Sequence, residues 1–356
     1  MLSHKNLVQE NRMTENKPHL CDFIGMLHVP VNTIWSSPPS WREVLELPAA
    51  NEADWLGLDA LEKDFGDYFH NNPFTVGQYL TISELVAETE ERARRFSFFP
   101  FLLDRVLVEA EIYFRHGTDA LMLENVAAPY FVRENQPVAI IAVMSLLAKR
   151  LREKYPGERL GIQILAFSDD LALGLAFRHG FKFIRSESAL FTGLRPEGPT
   201  SNHGNLAGLY AMRNRWLASQ AKPQKAPRIY VDLQKKHTIF DNALESLDTW
   251  LDNILFQKLE GVVITGDITG CPVAEQDLVQ TRKAIQRITD NTQKLFGTSY
   301  APPLIIGSGV SVDNIDICKK YADSVIVGSS LKRGGYWECE LDEERLKNFT
   351  ELWHAV

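Results

Sequence analysis

Two glycine-rich turns near the end of the chain have the residue types of an anion-binding site. The segments Gly307–Gly309 and Gly328–Ser330 each follow a short apolar run, Pro303–Ile306 and Ser324–Val327. Glycine lets backbone N–H groups approach an anion without a Cβ in the way, and a helix that starts just beyond adds partial positive charge. Two such turns in succession favour a phosphate site over the alternative, in which the glycines only allow tight turns between strand and helix.

Carboxylate, imidazole and lysine side chains stand at the ends of other apolar runs. A carboxylate there can act as a general base, an imidazole as its partner acid, and a lysine as an electrostatic stabiliser or Schiff-base nucleophile. The candidate catalytic residues are Glu124, Asp232, Lys236, His237 and His28. Glu124 and Asp232 are alternatives for the base, and His28 and His237 are alternatives for the acid.

Amide, guanidinium and hydroxyl groups close to these residues could hold a substrate. They are Asn125, Gln163, Arg185, Thr265 and Asp267. Glu124 and Asp232 could together bind a divalent metal, although no HxH or DxD spacing requires one. No other cofactor is indicated. Any single residue of this set could be a helix cap or an ion-pair partner. Their occurrence at the ends of so many apolar runs favours a ligand.

These residues need a scaffold that brings several strand ends together. Eight short apolar runs predict strands, at Asp22–Val29, Asp119–Asn125, Leu160–Ala166, Phe183–Arg185, Arg228–Gln234, Gly261–Thr265, Pro303–Ile306 and Ser324–Val327. Repeated β/α units with strands rich in Val, Ile and Leu predict a parallel sheet. Eight such units predict closure into an α/β (β/α)8 TIM barrel, with a long insertion after the first strand.

Longer periodic segments between these runs predict the helices. They lie at Phe101–His116, Pro137–Glu153, Asp169–His179, Asn205–Ala218, Asn242–Lys258, Val273–Phe296, Val312–Tyr321 and Asp342–His354. In a TIM barrel the loops after strands 7 and 8 commonly bind phosphate, so the glycine turns and the polar strand ends should share one rim. A doubly wound open sheet is the alternative, but no GxGxxG follows the first strand.

The composition is that of a single-core protein of enzyme size. The chain has 356 residues, 45% hydrophobic content and a formal net charge of −8, which gives no electrostatic reason to expect nucleic acid. Its longest apolar stretch, Pro137–Ala148, is too short to span a bilayer, so no integral membrane segment is expected. The four cysteines lack a CxxC pair, which predicts neither a zinc site nor a disulfide framework and indicates a reducing compartment.

The chain should form one domain with two additions. Residues 1–19 are polar and lack an apolar h-region, which predicts a flexible tail instead of a secretory signal. Residues 20–356 predict a single barrel domain, within which residues 31–100 form an insertion or lid. The insertion must begin at the catalytic face because it leaves the end of strand 1. We expect a cytoplasmic homo-oligomer, with a mitochondrial location left open.

Several segments together resemble the BtpA/SgcQ family, namely GMLHV, ALMLENVAAPY, DLQKKHT, GVVITGDITGCP, PLIIGSGVSVDNI and ADSVIVGSSL, in this order. The resemblance implies a TIM barrel of the ribulose-phosphate-binding type. It also implies a site at His28, Glu124, Asn125, Asp232, Lys236, His237, Thr265 and the two glycine turns. Cyanobacterial members are associated with photosystem I biogenesis, and bacterial relatives with sugar-metabolism genes. The chain departs from the family after His28, where it lacks a Leu-Pro-Gly turn.

The sequence therefore predicts an enzyme of isomerase, lyase or aldolase type. Its substrate would be a small phosphorylated metabolite, such as a sugar phosphate or a phosphoribosyl compound. The phosphate would lie on Gly307, Ser308, Gly309, Gly328, Ser329 and Ser330. The alternative is a non-catalytic assembly or stability factor that uses the barrel and the insertion as a docking surface.

Overall fold

The computed structural model describes the first strand and most of the chain that follows the predicted insertion. The described residues are 23–29, 99–126, 130, 138–187, 189–190, 193–195, 198–199, 206–221, 225–233, 239–240, 257–266, 271–337 and 339–355. The predicted tail and nearly all of the predicted insertion lie outside these residues. So does the helix predicted at Asn242–Lys258, apart from its last two residues.

Eight parallel strands close into a barrel, which confirms the predicted fold class. In chain order the strands are β1 (Phe23–Val29), β2 (Ala120–Asn125), β3 (Leu160–Gln163), β4 (Phe183–Ser186), β5 (Gly193–Arg195), β6 (Gly198–Pro199), β7 (Arg228–Asp232), β8 (Ile239–Phe240), β9 (Val262–Ile264), β10 (Leu304–Ile306) and β11 (Ser324–Val327). The barrel order is β1-β11-β10-β9-β7-β4-β3-β2, and β1 pairs with both β2 and β11. The remaining three strands form a separate antiparallel sheet, β6-β5-β8, which the sequence analysis did not predict.

Helices follow the barrel strands and cover the outside of the sheet. They are α1 (Phe99–Arg115), α2 (Val138–Lys154), α3 (Asp169–His179), α4 (Leu206–Ser219), α5 (Glu275–Phe296), α6 (Ile315–Tyr321) and α7 (Glu343–His354). A 3-10 turn at Val312–Asn314 precedes α6, so the helix predicted from Val312 is divided in two. The division falls at Asn314, whose backbone is not helical (φ −121°, ψ 14°) and whose side chain accepts from the Ser311 N–H and donates to the Gly309 carbonyl.

Side-chain alternation along each strand produces two cores. The larger one lies between the sheet and the helices. The smaller one fills the barrel and consists of Ile24, Met26, Ala120, Met122, Phe183, Tyr230, Val263, Ile305 and Ile326. The barrel is therefore packed and has no central pore, as is usual for this architecture.

Two barrel strands end at least two residues earlier than the sequence predicted, β3 and β7. β3 stops at Gln163, because the chain turns at Leu165 to Phe167. The Asn125 side chain holds this turn, since its amide donates to the Leu165 carbonyl at 2.8 Å and accepts from the Leu165 N–H at 2.7 Å. β7 stops at Asp232, and residues 234–238 lie outside the described part of the chain.

Candidate functional site

Each barrel strand ends, on its inward face, in a polar residue or a glycine. The eight residues are His28, Glu124, Gln163, Arg185, Asp232, Thr265, Gly307 and Gly328. Seven of them lie two residues after a member of the apolar cluster inside the barrel, which fixes their inward direction. All eight were predicted to belong to the site. The carboxyl ends of the strands therefore form a polar ring above an apolar core, at the rim where TIM barrels carry their chemistry.

A cavity of about 750 Å³ opens at this rim. Its walls include four buried ionisable side chains, those of His28, Glu124, Arg185 and Glu187. Both glycine turns, 307–309 and 328–330, line the same cavity. The volume lies in the range of sites for small organic ligands. Of the predicted catalytic residues, the structure thus brings His28 and Glu124 into one space with the two glycine turns.

Arg185 forms a two-point ion pair at the base of the site. Its Nε donates to Asp232 Oδ1 at 2.7 Å and its Nη2 to Asp232 Oδ2 at 3.0 Å, and Nη1 donates to the Gly307 carbonyl at 3.2 Å. Burial alone would lower the pKa of Arg185, but the Asp232, Glu124 and Glu187 carboxylates raise it above its ordinary value. Both oxygens of Asp232 are thus occupied by a guanidinium that stays charged.

Glu124 and His28 lie side by side at the ends of two adjacent strands. The residues are register partners, and His28 Nε2 is 3.9 Å from Glu124 Oε2. This separation is longer than a hydrogen bond, and acid–base pairs of this kind commonly tighten in the substrate complex. A second carboxylate, Glu187, accepts a hydrogen bond from the Phe167 N–H at 3.3 Å. Phe167 has a φ of +54°, so the turn that presents this N–H is held in a left-handed conformation.

Four backbone N–H groups in or directly beside the two glycine turns have no acceptor among the described residues. The N–H groups of Gly309, Val310, Ser329 and Ser330 donate to no oxygen in the described part of the chain. The Ser330 hydroxyl donates to the Val310 carbonyl at 2.6 Å, which ties one turn to the other. Backbone donors that face a cavity in successive turns are a common basis for anion binding.

A side chain at Gly309 or Gly328 would collide with neighbouring atoms, so packing requires glycine in both turns in addition to the approach of an anion to the backbone. Gly309 has a φ of +69°, and a Cβ there would collide with the Cys271 carbonyl. A Cβ on Gly328 would lie 2.7 Å from the His28 ring. Bulky substitutions at these glycines would therefore disturb the loop after β9 and the position of His28, whatever the turns bind.

The other predicted substrate-binding residues fall into three groups. Gln163 is fully buried, and its side-chain amide makes no hydrogen bond within the described residues. Asn125 is also buried, with its side chain on the Leu165 backbone, and Thr265 lies at the inward end of β9. The predicted residues Lys236, His237 and Asp267 lie outside the described residues. Within the described residues no group of three or more His, Cys, Asp or Glu could hold a metal ion.

The cavity also contains residues that the sequence did not single out as candidates. Tyr130, Ser311, Trp337 and Arg345 line it, and the Trp337 ring meets the His28 ring edge to face at a centroid distance of 6.3 Å. Trp337 and Arg345 come from the segment after the last strand, where no periodic pattern relates them to the rim. The only available signal was their position shortly after the second glycine turn.

The closed parallel barrel, with a polar ring and two backbone-donor turns at its carboxyl rim, defines a TIM-barrel protein with a ligand site in the usual place. Comparison with known proteins identifies the family. The chain belongs to the BtpA family, whose model matches residues 95–355.

Two relatives illustrate the range of the family. An uncharacterized mitochondrial protein of Caenorhabditis elegans is 29% identical over 253 residues, which cover 70% of this chain and 83% of the relative. The photosystem I biogenesis protein BtpA of Synechocystis is 29% identical over 250 residues, which cover 70% of this chain and 79% of the relative.

The solved structures to which this chain is similar share little sequence with it. A KDPGal structure is 14% identical, with a TM-score of 0.34, and covers 70% of this chain and 86% of its own. Yersinia pestis DHPS with a pterine-sulfa conjugate is 8% identical, with a TM-score of 0.37, and covers 70% of this chain and 88% of its own. No functional statement about this chain follows from them.

Proposed function

We propose that this protein is an enzyme that acts on a small phosphorylated metabolite, such as a sugar phosphate or a phosphoribosyl compound. The observation that carries the proposal is a set of backbone N–H groups in two successive turns of one cavity, for which the described residues provide no acceptor. Each turn follows one of the last two barrel strands, where phosphate commonly binds in TIM barrels. The phosphate would lie between residues 307–309 and 328–330.

Proton transfer would fall to Glu124 and His28. Asp232 is the less suitable base, because both of its oxygens accept hydrogen bonds from Arg185. Glu124 lines the cavity next to His28, so it would take a proton from a carbon beside a substrate carbonyl, and His28 would protonate the carbonyl oxygen. Many isomerase, lyase and aldolase reactions include a step of this kind or its reverse.

Three further predicted residues have supporting roles in the proposal. Arg185 would stabilise negative charge that develops on the substrate, since its pKa is raised and it lines the cavity. Lys236 and His237 follow the end of β7 by four and five residues in the sequence, and in this proposal they would lie near the same rim. Lys236 would act there as an electrostatic stabiliser or a Schiff-base nucleophile.

Thermal stabilisation by matched pairs of compounds tests the proposed substrate class. A ligand that binds only the folded state raises the melting temperature, so glucose 6-phosphate and ribose 5-phosphate are compared with glucose and ribose. We expect stabilisation by phosphorylated compounds only. Equal effects of the paired compounds, or no effect of any phosphate ester, would contradict the proposal.

Substitution of Glu124 tests the proposed chemistry. For a compound that the wild type binds and converts, Glu124→Gln should lower turnover by about 10²–10⁴-fold, because a general base contributes that much. Binding and melting temperature should change little. Glu153→Gln, on the exposed surface of α2, is the matched control and should retain full turnover. Full turnover in Glu124→Gln would exclude Glu124 as the base.

A second candidate function is a non-catalytic assembly or stability factor. It is favoured by the name of the Synechocystis relative, which is a photosystem I biogenesis protein. No helix in the described residues is long and apolar enough to cross a membrane. This candidate predicts that Glu124→Gln restores full function in cells that lack the protein. The expected cytoplasmic location and homo-oligomeric state both stay predictions.

A further inference from the structure

Two arginines are found among the described residues that line the cavity, and they differ in what they contact. Arg185 is buried at the base, where its guanidinium contacts both Asp232 oxygens and the Gly307 carbonyl. Arg345 belongs to the first turn of α7 and lines the cavity beside the second glycine turn. Arg185 therefore has a fixed partner inside the barrel, whereas Arg345 lies at the solvent side of the cavity.

The guanidinium of Arg345 makes two long contacts. Its Nη1 donates to the Ser330 carbonyl at 3.4 Å, and its Nε is 3.4 Å from Asp342 Oδ2. The Arg345 side chain is 48% exposed. Exposed ion pairs at such distances stabilise a protein only slightly. The group is thus held next to the turn by contacts that a stronger anion could replace.

The adjoining turn has donors but no full positive charge. The N–H groups of Ser329 and Ser330 have no acceptor in the described part of the chain, and Arg345 already contacts the carbonyl of that turn. A phosphate bound to these N–H groups would therefore lie within reach of the Arg345 side chain. A planar guanidinium forms two parallel hydrogen bonds with a phosphate, which a point charge such as lysine does not.

We propose that Arg345 binds the phosphate group of the substrate, and that Asp342 holds its guanidinium beside the turn before the phosphate arrives. This inference rests on the phosphate-binding function proposed above. Asp342 is also the N-cap of α7, because its Oδ1 accepts from the Arg345 N–H at 3.1 Å. When the guanidinium moves to the phosphate, the cap hydrogen bond remains, so the helix keeps its position. Asp342 therefore competes with the phosphate for the Arg345 guanidinium, and this competition lowers the affinity for phosphate.

Inorganic phosphate is a suitable probe, titrated against the full-length protein at constant ionic strength with chloride as the reference salt. Arg345→Gln should weaken phosphate binding about tenfold, the equivalent of one charge-assisted hydrogen bond. Asp342→Asn should strengthen it about threefold, because asparagine also caps helices but does not attract the guanidinium. Arg333→Gln is the matched control, since Arg333 pairs with Glu340 at 3.0 Å in the same segment and does not line the cavity.

A double variant tests whether Asp342 acts through Arg345 or only through its own negative charge. In the Arg345→Gln background, Asp342→Asn should no longer change phosphate affinity, because the competitor acts only through Arg345. The inference is overturned if Arg345→Gln binds phosphate as tightly as the wild type, or if Arg333→Gln weakens binding equally. In either case the phosphate site itself would survive. If phosphate does not stabilise the wild type at any concentration, the proposed phosphate site and the role of Arg345 both fail.

Discussion

Two clusters of buried charge differ in location and in composition. Inside the barrel, one cation, Arg185, faces Asp232 and has two further carboxylates close enough to raise its pKa. Outside the barrel, one carboxylate, Glu109 on α1, contacts two cations. The inner cluster therefore has an excess of negative groups, and the outer cluster has an excess of positive groups.

The outer cluster connects the first helix to the segment after the second glycine turn. Lys332 is fully buried, and its Nζ donates to Glu109 Oε2 at 2.5 Å. Arg105 Nε lies 3.5 Å from Glu109 Oε1, and its Nη2 donates to the Cys339 carbonyl at 3.2 Å. None of these residues lines the cavity. The cluster therefore fixes the chain directly after Ser329, Ser330 and Leu331 without facing a ligand.

The difference shows how buried charge can serve structure or chemistry. In the outer cluster every charged group faces protein, so its contribution is to the position of the second turn. In the inner cluster Glu124 and Glu187 line the cavity, where the proposed substrate would contact them. A buried carboxylate near a second carboxylate and a fixed guanidinium is a typical arrangement for proton transfer. Substitutions in the two clusters should therefore have different consequences.

The largest loss of stability is expected for Arg185→Gln. This change leaves three carboxylates, Asp232, Glu124 and Glu187, without the cation that faces them. Removal of one partner of a buried ion pair costs about 3–5 kcal/mol, and the like charges that remain place this variant near the upper value. Chemical unfolding gives the free energy directly. A loss below about 1 kcal/mol would show that the inner carboxylates do not depend on Arg185.

Glu109→Gln should have the next largest effect, at about 3 kcal/mol, because it leaves Lys332 buried beside Arg105 without a carboxylate. The control is Glu111→Gln on the same helix. Glu111 pairs with Lys154 and Arg115 at the exposed surface, so its loss should change unfolding only slightly. Equal losses in the two variants would show that the outer cluster adds no more than a surface pair.

Asp232→Asn should cost less, at about 1–2 kcal/mol. The substitution keeps the shape of the side chain, and Arg185 still has Glu124 and Glu187 in its vicinity. The comparison with Glu109→Gln is informative, because the inner cation has other carboxylates whereas Lys332 has only Glu109 at contact distance within the described residues. If Asp232→Asn were the more damaging variant in chemical unfolding, the two clusters would not differ as described.

The smallest effect is a pH dependence from Lys332. Burial lowers the pKa of Lys332 below its ordinary value of 10.5, and the attraction of Glu109 offsets this only in part. Between the lowered value and 10.5 the unfolded chain binds more protons than the folded one. The free energy of unfolding should therefore rise with pH in that interval, by at most about 1.4 kcal/mol per pH unit.

Unfolding of the wild type is compared across that interval with a double variant that combines Lys332→Met and Glu109→Gln. The double variant should lose this part of the pH dependence. An identical pH dependence in both proteins would assign it to other groups.

Much of the fold followed from local patterns. Short runs of Val, Ile and Leu between turn residues located all eight barrel strands, with β11 predicted at its observed limits. The helix at Asp169–His179 was also predicted at its observed limits, since Gly180 ends it in a left-handed conformation. The early end of β3 was not predictable, because Asn125, forty residues away in sequence, holds the turn that ends it.

The site residues at the strand ends were predictable from the sequence, but the cavity residues that follow the last strand were not. Polar residues at the ends of apolar runs located His28, Glu124 and Arg185, since alternation and strand direction are properties of the local sequence. Trp337 and Arg345 come from the segment after the last strand. They reach the cavity only because the chain folds back over the rim, which no local pattern records.

The sequence by itself determined the barrel, the direction of its strands and the chemical groups at their ends, because periodicity and turn residues act over a few positions. The tertiary structure decided which of those groups pair. It placed Asp232 on Arg185, which leaves Glu124 beside His28 as the better candidate base. It also paired Lys332 with Glu109 across more than two hundred residues. Such pairings depend on distances between strands and helices, and these distances exist only after the barrel has closed.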